Sequence, residues 1–210
     1  MLMQKKMTSL KTSFALASAL FASTTAFAQA IQVSNEAELK TALSDTKADI
    51  VLTQDITLSG AWIPIGTKEA PYMGTFDGQG HAIKGLTITT KADNLGFFSF
   101  IGSTATVKNV SFTGAKVLGN KQAAIVAGQA ENATISNVYV SGYVTGYDHV
   151  GTIVGDARGD ANVGEDGTTI SNCVSTAAAF SSNYQAGGIA GWTNLGVFEN
   201  NVAYGAVTAP

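Results

Sequence analysis

Ala124-Ile-Val-Ala-Gly128, returning as Gly151-Thr-Ile-Val-Gly155 and as Gly187-Gly-Ile-Ala-Gly191, is one short phrase used three times, with a degenerate copy Gly96-Phe-Phe-Ser-Phe100 ahead of them. Each phrase stands at a fixed distance before an aliphatic-x-Asn unit. Asn109 lies 13 residues after Gly96, Asn137 lies 13 after Ala124 and Asn200 lies 13 after Gly187, so the copies are in register. Asn109, Asn137, Asn172 and Asn200 are spaced by 28, 35 and 28 residues, and the long interval holds an inserted polar run, GDARGDANVGEDG. A period in the twenties, rich in β-branched residues, Gly and Asn and without a helical stripe, predicts stacked β-coils. The expected fold is all-β, a right-handed parallel β-helix with a short N-terminal capping helix.

Three regions are expected. Lys5, Lys6 and Lys11, an apolar run from Phe14 to Phe21 and Ala26-Phe27-Ala28 spell a secretory signal over residues 1–28. Residues 29–60 read as the cap: Ser34 as helix N-cap, Glu36 and Glu38 in the first turn, then Leu39, Ala42 and Leu43 as one apolar stripe. A helix there covers the hydrophobic end that the first coil otherwise exposes. Residues 61–210 form the repeat domain, with Ile83, Leu86 and Ile88 set in the pattern of Val107, Val110 and Phe112, 24 residues earlier. The chain ends soon after Asn200, so an uncapped end is expected, leading to more sequence downstream or to end-to-end self-association.

Composition excludes several classes. The whole chain carries 12 basic and 15 acidic residues; the three signal lysines removed, 9 face 15, with Arg158 the single arginine. An acidic chain without a basic stripe is not built to displace counterions from nucleic acid. The one cysteine, Cys173, rules out an intrachain disulfide and fills the slot of Val110 and Val138, as a buried filler would. Once the signal is gone no membrane span remains in the expected fold.

The repeat residues have structural roles in this reading. Gly96, Gly128, Gly151, Gly155, Gly187, Gly188 and Gly191 mark bends, where Gly128, Gly155 and Gly191 supply positive φ or a close approach. The four Asn residues are expected to stack as a ladder. Candidate chemistry is sparse. Asp77 and His81 in FDGQGH could pair for acid-base work, but Asp-Gly-x-Gly is first of all turn chemistry. Asp148 and Asp156 lie in neighbouring loops with no matching acids elsewhere. The loop from Asp156 to Asp166 offers Asp156, Asp160, Asn162, Glu165 and Asp166 to a hard cation such as calcium, without the bidentate Glu of an EF-hand; it also contains Arg158-Gly159-Asp160, similar to an integrin-recognition tripeptide. Tyr139, Tyr143, Tyr147, His149 and Trp192, with Tyr184, are the aromatic positions expected on the outside or rim, where ring faces suit sugars or partner side chains.

At GGIAG, GTIVG, TISNC (Thr169 to Cys173) and NVYVSGYV (Asn137 to Val144), introduced by WIPIG and FDGQGHAIKGLTI, the chain resembles the GLUG-repeat family of exported bacterial proteins over roughly residues 62–207. AAIVAG, FFSF and VFENN depart from the repeat. The resemblance implies a right-handed parallel β-helix on secreted or cell-surface proteins, among them adhesin-like and haemagglutinin-like chains and the non-catalytic part of an immunoglobulin A peptidase. It brings no catalytic residue. The expected function is therefore adhesive or structural, binding a surface glycan or protein and not catalysing a reaction, with a polysaccharide lyase or hydrolase on the same fold as the competing class.

Overall fold

The computed structural model describes residues 29–159 and 167–210. The expected signal segment, and Asp160, Asn162, Glu165 and Asp166 of the inserted loop, lie outside the described residues. Within them the chain is all-β with one short helix, and its strands run parallel in three sheets. The largest sheet passes through Ile31–Val33, Ile50–Leu52, Thr75–Asp77, Thr106–Leu118, Thr134–Gly146, Thr169–Ser171 and Val197–Glu199. A second joins Phe98–Ile101, Ala127–Glu131, Val154–Arg158 and Ala190–Asn194; a third joins Lys121–Ala123, Asp148–Gly151 and Ala186–Gly187.

Register follows the repeat. Ile50, Phe76, Val107, Ile135 and Ile170 pair one after another and all are fully buried, while Phe198, the next in that column, is 40% exposed. Parallel strands stack about 4.8 Å apart, so one apolar position per repeat becomes a continuous interior column. The core changes along the stack. Trp62 stacks on Phe97 and Tyr72 on Phe98, each at 4.6 Å between centroids, with Phe76 and Phe112 beside them. The degenerate phrase GFFSF thus supplies two core rings where later copies supply Val, Ile and Ala. Burial of Trp62 and Tyr72 is made affordable by Trp62 Nε1 donating to Phe97 O at 2.9 Å and Tyr72 Oη to Ala48 O at 2.8 Å.

Two expectations are corrected. The helix Glu36–Ala42 is capped by Asn35, whose side chain accepts from Glu38 N at 3.0 Å; Ser34 instead donates from its N and Oγ to the Glu38 carboxylate. Asn35 has the extended φ of −151° that a cap needs, one residue later than the sequence suggested. The first repeat is also not offset by 24 residues: Ile83 pairs with Phe112 and Ile88 with Val117, an offset of 29. The turn at Gln79 and Gly80, both at positive φ, inserts residues between Phe76, which pairs with Val107, and Ile83.

Asn and Gly divide the work of bending. Asn109, Asn137, Asn172 and Asn200 all have φ between 52° and 53°, the left-handed conformation that Asn tolerates better than most side chains. Gly128, Gly155 and Gly191 have ordinary φ and serve by close approach: a Cβ on Gly128 or Gly191 would lie 2.3 Å from the backbone carbon of Asn94 or His149, and one on Gly155 would lie 2.5 Å from that of Gln122. Gly151 and Gly187 face Val154 O and Ala190 O, Gly96 faces Ala127 and Gly188 faces Ala203.

Candidate functional site

Alternation along the large sheet decides which side chains face out. Val138, Val140 and Val144 are buried, so Tyr139 and Tyr143 project from the opposite face, and Ala179 is buried next to an outward Phe180. Tyr143 pairs with the small Ala178 and Thr145 with Phe180, which sets Tyr143 and Phe180 diagonally on one face of neighbouring strands. Tyr143 is 36% exposed, Phe180 38% and Tyr147 44%, enough to offer ring faces to a partner. Tyr139 is tied down by a 2.9 Å hydrogen bond between its hydroxyl and that of Thr176. Tyr147 and Phe180 share an open groove of about 330 Å³ with Lys91 and Ser182. Tyr143, Phe180 and Tyr147 thereby make one aromatic strip beside hydroxyl groups, with Tyr139 set apart from it beyond the register shift at Gly142. Phe180 was not among the expected residues. Its signal was its place two residues after Ala178 in the Tyr143 register, hidden by the seven extra residues of the inserted loop.

His149 and Trp192 belong to a different cluster. Their rings stack at 5.6 Å and 12°, and the Arg158 guanidinium lies 5.6 Å from the Trp192 centroid. Arg158 donates from Nε (2.9 Å) and Nη2 (2.6 Å) to Asp156 Oδ2, and this buried carboxylate raises the Arg158 pKa. His149 Nε2 is 3.7 Å from Asp148 Oδ2, and its Nδ1 is 3.9 Å from Asp156 Oδ2. Among the described residues, His149 Nδ1 and Asp156 Oδ1 are both buried without a hydrogen-bond partner. The Trp192 ring is engaged within the chain, unlike the rings of the strip, and the two carboxylates flank an imidazole.

Asp77 and His81 do not form a pair. Asp77 accepts from Gln79 N and Gln79 Nε2, both at 2.9 Å, and from Asn109 Nδ2 at 3.1 Å, with Lys108 Nζ at 3.5 Å. Its carboxyl pKa is lowered: burial opposes ionisation, but these hydrogen bonds and Lys108 outweigh it. His81 turns to Asp55 at 3.4 Å, an acid also held by Lys84 at 2.9 Å. Asp77 starts a side-chain chain instead: Asn137 Nδ2 donates to Asn109 Oδ1, and Asn109 donates to Asp77. In the last repeat Asn201 bridges, accepting from Cys173 N at 2.9 Å and donating to Ile170 O at 2.7 Å. Cys173 is fully buried, and burial raises its thiol pKa to about 11. Tyr184 is 63% exposed. Among the described residues no three His, Cys, Asp or Glu side chains gather to hold a metal ion.

Parallel sheets stacked in register, with aromatic side chains turned outward, define a repeat-built all-β domain. Residues 30–181 match the family described as "Putative pectate lyase-like adhesive domain", and the chain belongs to that family. A stretch of 131 residues, 57% of the chain, is 34% identical to Halomucin of Haloquadratum walsbyi; it spans 1% of that protein's length. The fold is similar to a crystal structure titled as a "putative immunoglobulin A1 protease" from Bacteroides ovatus, with TM-score 0.67 and 20% identity, covering 84% of this chain and 66% of that one.

Proposed function

We propose that the chain is a secreted, surface-displayed right-handed parallel β-helix with GLUG-type repeats, made of a signal segment (1–28), a capping region (29–60) and a repeat domain (61–210). Its work is adhesive. The outer face of the large sheet and the bend that follows it hold a surface macromolecule, glycan or protein, against Tyr143, Phe180 and Tyr147, with Tyr139, His149 and Trp192 as neighbouring aromatic positions. The carrying observation is that exposed Tyr143 and Phe180 sit diagonally on neighbouring paired strands, and Phe180 shares a groove with Tyr147, so that binding orders only side chains. Membership in an adhesive-domain family supports the same reading. Among the described residues no helix is long and apolar enough to cross a membrane.

The test is a glycan array and a protein-capture array probed with the purified protein and with a Tyr143→Ala/Phe180→Ala double variant. Expected is retention of a defined ligand set by the parent protein and a drop of roughly tenfold or more for the variant, the loss usual for anchoring rings. Turnover of a polysaccharide, read as new reducing ends or unsaturated products, would overturn the proposal in favour of an enzyme.

A further inference from the structure

A separate pocket of about 210 Å³ opens on the second sheet, where three successive passes of the chain lie side by side. The middle pass is Phe100 to Ser103. Tyr72 N donates to Phe100 O and Gly102 N to Tyr72 O, both at 2.9 Å, which sets Pro71 and Met73 along one side; Gln129 pairs with Phe100 on the other. Gly102 permits this closeness, since a Cβ there would lie 2.6 Å from Met73 Sδ and 2.9 Å from Pro71 Cγ. Lys68 reaches the rim from a turn closed by Thr67 N donating to Ala70 O at 3.0 Å and Ala70 N to Thr67 Oγ1 at 3.1 Å.

The polar groups there are unspent. Gln129 is 8% exposed as a whole residue and lines the pocket, and its side-chain amide, which makes no hydrogen bond to the described residues, still meets solvent. An amide solvated only by water can exchange that water for a ligand's hydroxyls, whereas an apolar ligand that displaced the water would leave it unpaired. Glu131, two residues on along the same strand, and Lys68 are exposed and, among the described residues, in no ion pair within 4.0 Å; the cross-strand neighbour of Glu131 is Arg158, which pairs closely with Asp156 and feels Glu131 only as a more distant charge. An apolar wall, one amide that both donates and accepts, one carboxylate and one ammonium therefore converge.

We propose that this pocket binds one pyranose ring. A pyranose has an apolar C–H face for Phe100, Pro71 and Met73, and a rim of hydroxyls that donate to Glu131, accept from Lys68 and do both with Gln129. A wholly apolar ligand leaves Gln129 unsatisfied, and a simple anion or cation meets a like charge at the rim. The volume is below the roughly 300–1,000 Å³ of sites for drug-sized ligands, which limits the occupant to about one ring. The site shares no residue with the aromatic strip and does not depend on the reading of that strip.

Methyl glycosides of glucose, galactose, mannose and N-acetylglucosamine, titrated into the ¹⁵N-labelled protein, test it. Expected is a saturable shift of the Gln129 side-chain amide signals, and of the Gly102 backbone amide, with at least one glycoside. Affinity read at Gly102 should fall by roughly tenfold in Glu131→Gln and further in Gln129→Met, the scale of a lost hydrogen bond to a charged or buried group, and should not change in Tyr143→Ala/Phe180→Ala. The proposal is overturned if none of the four glycosides moves the Gln129 signals, or if the affinity is unchanged in both pocket variants. Neither result touches the strip, which is judged by its own variant on the arrays.

Discussion

Asn137 donates from Nδ2 to Asn109 Oδ1 at 3.3 Å across 28 residues of chain, and both residues hold φ near 52°. One residue type thus meets two demands, a left-handed bend and a bond to the next repeat. Asn109→Ala should cost about 2–3 kcal/mol, combining left-handed strain of about 1–2 kcal/mol with the lost hydrogen bonds. Asn109→Gly should cost less, because it keeps the bend and loses only the bonds. Urea denaturation of the two variants checks the order, and an Ala variant as stable as the Gly variant would contradict the double role.

Gly128→Ala tests close approach. The added Cβ meets backbone of Asn94 at 2.3 Å, and backbone cannot swing aside as a side chain can. A loss of at least about 2 kcal/mol is expected, at the upper range of overpacking. Its φ is ordinary, so no left-handed strain adds to the loss, and the lower entropy of the unfolded alanine chain offsets only about 0.4–1 kcal/mol of it. A thermal melt that moves by less than a degree or two would show that the repeats can spread.

Two groups set pH limits on stability. Cys173 ionises near 9 in the unfolded chain and near 11 when folded, so both states are protonated below pH 9 and the unfolded state loses its proton first above it. Stability should therefore fall between about pH 9 and 11, by up to roughly 1.4 kcal/mol per pH unit. The Cys173→Val variant should lose this alkaline slope, and the parent thiol should resist thiol reagents at neutral pH until unfolded. At the acid end, the hydrogen bonds of Asp55 with Lys84 and with Ala82 N, assisted by His81, depress its carboxyl to about 2. That contribution is complete above the ordinary carboxylate value and disappears as pH falls toward 2, so Asp55→Asn should flatten the acid limb of a pH titration of stability.

The last repeat leaves its apolar column open. Phe198, Val202 and Val207 are 40%, 41% and 45% exposed, whereas Ile170 and Ala179, the partners of Phe198 and Val207, are fully buried. At the other end, Leu39, Ala42 and Leu43 are buried as the helix packs over the core.

The repeat was legible because identical spacing forces identical pairing: once Gly96, Ala124 and Gly187 stand 13 residues before an Asn, the aliphatic positions between them have to stack. Residue type also told that Cys173 fills an apolar slot of the repeat and that Asp77 caps the turn at Gln79, since the first follows from the period and the second from a contact two residues away. The helix cap was misplaced by one residue because Ser34 and Asn35 are both competent caps and only the observed backbone selects Asn35. His149 and Trp192 looked like Tyr143 and Tyr147 in sequence, yet the former stack on each other while the latter face outward, because Asp156 and Arg158 are brought up beside Trp192 by the second sheet. Sequence alone determined the period, the parallel all-β character and the apolar columns, which are local and repetitive. Tertiary structure alone decided which outward residues meet: Phe180 beside Tyr143 across an insertion, and Gln129 beside Phe100 with Lys68 above them. Outward side chains carry no periodic constraint, so their neighbours are set by register between passes of the chain and by nothing in their own surroundings in sequence.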